Sequence, residues 1–202
     1  MDTRREAGVE RALLDVRGAF RLLYVYQEAV LNICEQIREY FGMEFYNWNP
    51  YSPLPTRRNP VGSSAWSLLP MRMADLLYLP AGAEPSAPKS GEWMLNISVC
   101  SDWENCDPVP PRVADLSAVR DSRSCLGLFG YGISEDLESS WYHGVFSHAY
   151  PGEGEQILDV AGGVRVVGDS SYIPLAEFMT ASGCQRQAQR FEALLREAKV
   201  IK

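Results

Sequence analysis

The residues best suited to chemistry stand together in Cys100-Ser101-Asp102-Trp103-Glu104-Asn105-Cys106-Asp107, which combines two thiols with three carboxylates. Such a cluster suits metal ligation, or a thiolate nucleophile with an orienting acid. Spacing argues against the metal. Structural zinc pairs sit roughly two to four residues apart, whereas five residues separate Cys100 from Cys106 and no second pair matches them. Neither a metal nor a cofactor is expected. The remaining constellation is a nucleophile–base dyad, Cys100 or Cys125 with His143 or His148, assembled across adjacent strands. His143 and His148 are the only histidines. If Trp141 to Tyr150 is a strand, they point to opposite faces and cannot grip one ion. The two glycine-rich stretches, Gly127 to Gly132 and Gly162 to Gly168, lack the strand–turn–helix setting of a phosphate cradle.

The same acidic cluster has a second reading, as a surface. Between Glu92 and Asp159 there are twelve acidic residues against three arginines and no lysine, within a chain of net charge −7. That field repels phosphate backbones, so nucleic acid is not an expected partner, whereas a basic protein is attracted. Buried aromatic anchors would supply most of the affinity and charge the encounter rate. The expected partner-binding residues are Asp102, Trp103, Glu104 and Asp107.

The elements that must position these groups follow from hydrophobic periodicity. Val9, Leu13, Val16, Phe20, Leu23, Val30, Cys34, Ile37 and Phe41 step by four and three, interrupted only by Gln27. This predicts one long helix from near Arg5 to Gly42, whose glycine suits a left-handed helix end. From Val9 to Phe41 the helix runs ~50 Å, against a diameter of roughly 43 Å for a compact chain of this length. Either it bends near Gly18 or its first turns project. Its middle, Ala19 to Tyr26, is apolar on nearly every side, which predicts burial. The cadence returns in Cys184, Ala188, Phe191, Leu195 and Ala198, a second helix. Packing of both helices on one another and on a sheet is favoured over a coiled coil between chains.

Eleven of the thirteen prolines lie from Pro50 to Pro111, a region that cannot hold a long helix. Tyr46 to Pro55 is expected to be extended. Met71 to Leu79, Trp93 to Trp103, Leu126 to Ile133 and Trp141 to Tyr150 are expected strands, and Ile157 to Val167 a hairpin closed at Ala161-Gly162-Gly163. A short helix is expected near Val113 to Val119.

The whole predicts a single α+β domain over residues 1–202, a mainly antiparallel sheet of five or six strands packed by the N- and C-terminal helices. The N-terminus has no secretory pattern, no stretch is long and apolar enough for a membrane span, and five scattered cysteines suit reduced thiols. A cytoplasmic protein with no membrane partner is expected, as monomer or homodimer. The function expected is non-catalytic: an inhibitor-like, immunity-like or adaptor domain that binds a basic protein. The alternatives are a small cysteine- or histidine-dependent hydrolase or transferase, and a structural homodimer through the N-terminal helix.

Overall fold

The heptad-spaced residues form one continuous helix, α1 (Thr3–Tyr40), in the computed structural model, which describes residues 3–50, 73–102, 122–148, 157–160, 162–168 and 172–202. Gly42 ends it at φ 63°, a conformation that favours glycine, and Arg38 donates to the Met43 carbonyl at 2.7 Å across the turn. The chain therefore enters the sheet directly, as β1 (Met43–Pro50). Tyr46 to Pro50, expected to be merely extended, is thus part of an edge strand. The stretch Tyr51 to Pro55 and the helix expected near Val113 lie outside the described residues.

The sheet continues with β2 (Met73–Pro80), β3 (Trp93–Cys100), β4 (Cys125–Ile133), β5 (Ile157–Val160), β6 (Val164–Gly168) and the short β7 (Ile173–Pro174). Its order is β1-β2-β3-β4-β6-β5, with β7 also paired to β4, and every pairing is antiparallel. The expected hairpin is β5–β6, with Val160 opposite Val164 and both Gly162 and Gly163 at positive φ. Both helices segregate to the chain ends, which makes this an α+β fold.

Each face of the sheet carries a core. On one, Leu76, Tyr78, Leu95, Ile97, Val99 and Leu128 pack against α1 and against α2 (Ala181–Glu197), through Val30, Ile37, Phe191 and Leu195. Thr180 caps α2, accepting from the Gly183 amide at 3.0 Å. A Cβ on Gly130 would stand 2.3 Å from Leu195 Cδ2, so the glycine lets α2 lie close on β4. On the other face, Leu77, Met94, Phe129, Tyr131 and Val166 meet Trp141, Val145 and Phe146.

That second core changes two expectations. Trp141–Val145 is a π-helical turn and Phe146–His148 a 3₁₀ turn, not a strand. Ser140 caps the turn by accepting from the His143 amide at 3.2 Å, and Trp141 and Val145 are buried from one side of it. Alternation of apolar residues misled because a turn with four or five residues per cycle can place them together as well. On β3, the polar members Asn96 and Ser98 are as buried as their apolar neighbours. Alternation implied one solvated face, but the sheet has none over β3.

The two helices do pack side by side over the sheet, but only along part of α1. Val30, Ile33, Cys34 and Ile37 are sealed, while Ala19 to Tyr26, predicted to be buried, stands largely exposed. The first turns project, as the length comparison allowed.

Candidate functional site

The exposed half of α1 is the most unusual surface of the described residues. Val9, Leu13, Leu14, Val16, Phe20, Leu22, Tyr24 and Val25 all exceed half exposure or reach it, with Phe20 at 64% and Leu22 at 73%. Isolated exposed apolar residues are ordinary on protein surfaces, but Val9, Leu13, Val16 and Phe20 line up on one helix face. Gln27 marks the boundary. Its Nε2 is buried with no hydrogen-bond partner among the described residues, at the level where α1 enters its own core. The sequence stripe contained Val9, Leu13, Val16 and Phe20, but its uniform spacing could not reveal that one half of the seam is closed by the described core and the other is not.

A second feature was missed by sequence reasoning altogether. Asn49, Asp75 and Ser98 stand in one cross-strand row of β1, β2 and β3. Asp75 is 1% exposed and accepts from Asn96 Nδ2 at 3.2 Å. Burial holds its carboxyl above the ordinary carboxylate range, against hydrogen bonds from Ser98, Asn96 and Asn49 that favour the ionised form. Tyr142 donates to Asn49 Oδ1 at 3.2 Å, and the Tyr172 hydroxyl lies 3.2 Å from Ser98 Oγ. These bonds tie the 141–145 turn and the chain before β7 to the sheet. A lone carboxylate inside Met-Ala-Asp-Leu-Leu-Tyr-Leu was the available sequence signal. With Asp75 and Ser98 sealed from solvent and Asn49 half-buried, the row is an internal fastening.

Most of the residues expected to do chemistry are not gathered. Trp103, Glu104 and Asp107 lie outside the described residues, as does the side chain of His148. Asp102 is half-buried, and its carboxylate accepts from the Ser122 hydroxyl. His143 is exposed on the 141–145 turn. Cys125 is free and buried, directly opposite Cys100 in the β3–β4 register. Cys100 itself is disulfide-bonded, so in this state it offers no thiol. This corrects the expectation of five reduced thiols, because spacing excludes a zinc pair but says nothing of oxidation. The thiol basis for a cytoplasmic location is reduced to Cys34, Cys125 and Cys184. Burial pushes the Cys34 thiol up to about 12 and Cys125 up to about 11, and it raises Cys184 also. All three are poor nucleophiles near neutral pH.

Among the described residues no group of three or more histidine, cysteine, aspartate or glutamate side chains is placed to hold a metal ion. Nor is any described helix long and apolar enough to cross a membrane. What the fold and its surface define is an α+β domain with one helix left half uncovered. The chain belongs to the PM0109 family, whose profile matches residues 6–199 and so spans both helices and the whole sheet. No curated protein and no solved structure matches it.

Proposed function

We propose that this is a protein-binding domain that works by docking rather than catalysis, and that the exposed half of α1 is its docking element. The observation that supports this is the change of cover along one seam: Val30, Cys34 and Ile37 are sealed by the chain's own core, while Val9, Leu13, Val16 and Phe20 are open. Most helical stability in proteins comes from packing of an apolar face rather than from intrinsic propensity. The apolar residues of the open half are therefore matched to a cover supplied from elsewhere. The raised thiols weigh against a cysteine enzyme. Of the four residues expected to contact a basic partner, only Asp102 is among the described residues, and its carboxylate accepts from the Ser122 hydroxyl.

Residue-resolved hydrogen exchange tests the reading. In dilute solution the amides of residues 8–25 are expected to exchange quickly while those of 30–40 stay protected, with protection of 8–25 appearing only when a partner is present. Equal and concentration-independent protection of both halves would contradict it, since the chain would then cover its own helix.

A further inference from the structure

We infer that the partner of the exposed half of α1 is a second copy of this chain, its α1 running antiparallel, with Leu13 beside the partner's Val16 and Val9 beside the partner's Phe20. This rests on the docking reading above and names the occupant. The seam is written in heptads: Leu13, Phe20 and Gln27 take one core position, and Val9, Val16 and Leu23 the other.

The fold chooses the orientation. In a parallel pair the partner's helix would continue along the same seam past Val30, Cys34 and Ile37. That side of α1 is already filled by the sheet and by Phe191 and Leu195 of α2. An antiparallel helix runs the other way and carries its body off beyond the N-terminal end of α1.

Three features then agree on one register. With Leu13 beside the partner's Val16, the partner's Tyr26, where its core begins, comes level with Thr3, so the two bodies clear both helices while the open seam is used in full. The flanking positions on one side bring Glu10 next to the partner's Arg17, and by two-fold symmetry the same pair forms twice. On the other side Ala12 meets the partner's Ala19, small residues that allow close approach of the helices. Glu10, Ala12, Arg17 and Ala19 are all exposed in the single chain. Sliding one heptad towards the C-terminus instead sets Arg17 against the partner's Arg17 and drives each body onto the other's first turn. Leu14, Leu22 and Val25 stand off the seam and stay open in the pair.

Cysteine cross-linking of the full chain tests this. Equimolar Leu13→Cys and Val16→Cys proteins, mixed under mild oxidation, are expected to give several-fold more covalent dimer than either alone. Glu10→Arg and Arg17→Glu are each expected to weaken dimerisation on the order of tenfold, and the double swap to restore it. Strongest cross-linking from a single variant would indicate a parallel pair and overturn the proposal. A monomer at every concentration also overturns it, including a monomer that floats with anionic phosphatidylglycerol vesicles. In that case rapid exchange in residues 8–25 would leave the docking reading standing, whereas full protection would remove both.

Discussion

Val16 and Val30 occupy the same position of the same helix two heptads apart, yet Val16 is 50% exposed and Val30 0%. One repeated sequence pattern thus runs from a half that the core covers into a half that stands open. The difference lies in what the sheet and α2 can reach. Their core takes in α1 from Tyr26 onward, and the described residues before it stand largely open.

Stability should divide at the same place. Ile37→Ala removes a fully buried side chain from the helix–sheet core and is expected to cost about 2–5 kcal/mol. Val16→Ala is expected to change monomer stability by no more than about 0.5 kcal/mol. Urea unfolding at high dilution measures both, and similar costs would mean that the two halves share one cover.

Asp75 makes stability depend on pH in a definite direction. Its carboxyl is raised by burial, so its contribution is complete below the ordinary carboxylate range and is lost as pH climbs through the higher native value. Asp75→Asn keeps the size of the side chain without the charge. Urea midpoints should favour the parent near about pH 4, and favour the variant or equalise near about pH 8. A gap that is constant with pH would show that Asp75 has no raised value.

The free thiols provide a check on the non-catalytic reading. Cys34, Cys125 and Cys184 are buried and raised, so iodoacetamide near neutral pH should label the native protein slowly and the urea-unfolded protein quickly. Rapid stoichiometric labelling of the native state at one of them would revive a cysteine enzyme.

Gly130 and Leu195 should be energetically coupled. A Cβ at Gly130 meets Leu195 Cδ2 at 2.3 Å, and Gly130→Ala is expected to cost about 1–3 kcal/mol. In a Leu195→Ala background the same substitution should cost less, because the obstructing methyl is gone. Equal costs in a double-mutant cycle would show that α2 does not press on β4 here.

The fold class was legible because its signals are local. The stripe in α1, the alternation in β3 and the paired glycines between β5 and β6 each report a geometry that neighbouring residues decide. Burial of the second face was not legible, because Asn96 and Ser98 look like solvent-facing residues until Tyr142 and Tyr172 arrive from far along the chain. The 141–148 turns match the alternation of a strand because Trp141 and Val145 satisfy more than one period. Asp75 was overlooked as an interruption in an apolar run, and its partners on β1 and β3 are fixed only by strand order. The open half of α1 was in plain view as a pattern, but the number of heptads a core can cover depends on its width.

Sedimentation velocity of the parent chain beside Phe20→Asp bears most directly on the docking role of α1. Phe20 is 64% exposed and lies on the open seam, so a charge there leaves the single chain's core intact. The parent is expected to shift from monomer to dimer as concentration rises, while the variant stays monomeric with an unchanged urea midpoint. Identical, concentration-independent distributions for both proteins would contradict the antiparallel pair, and identical dimers would place the contact on another surface.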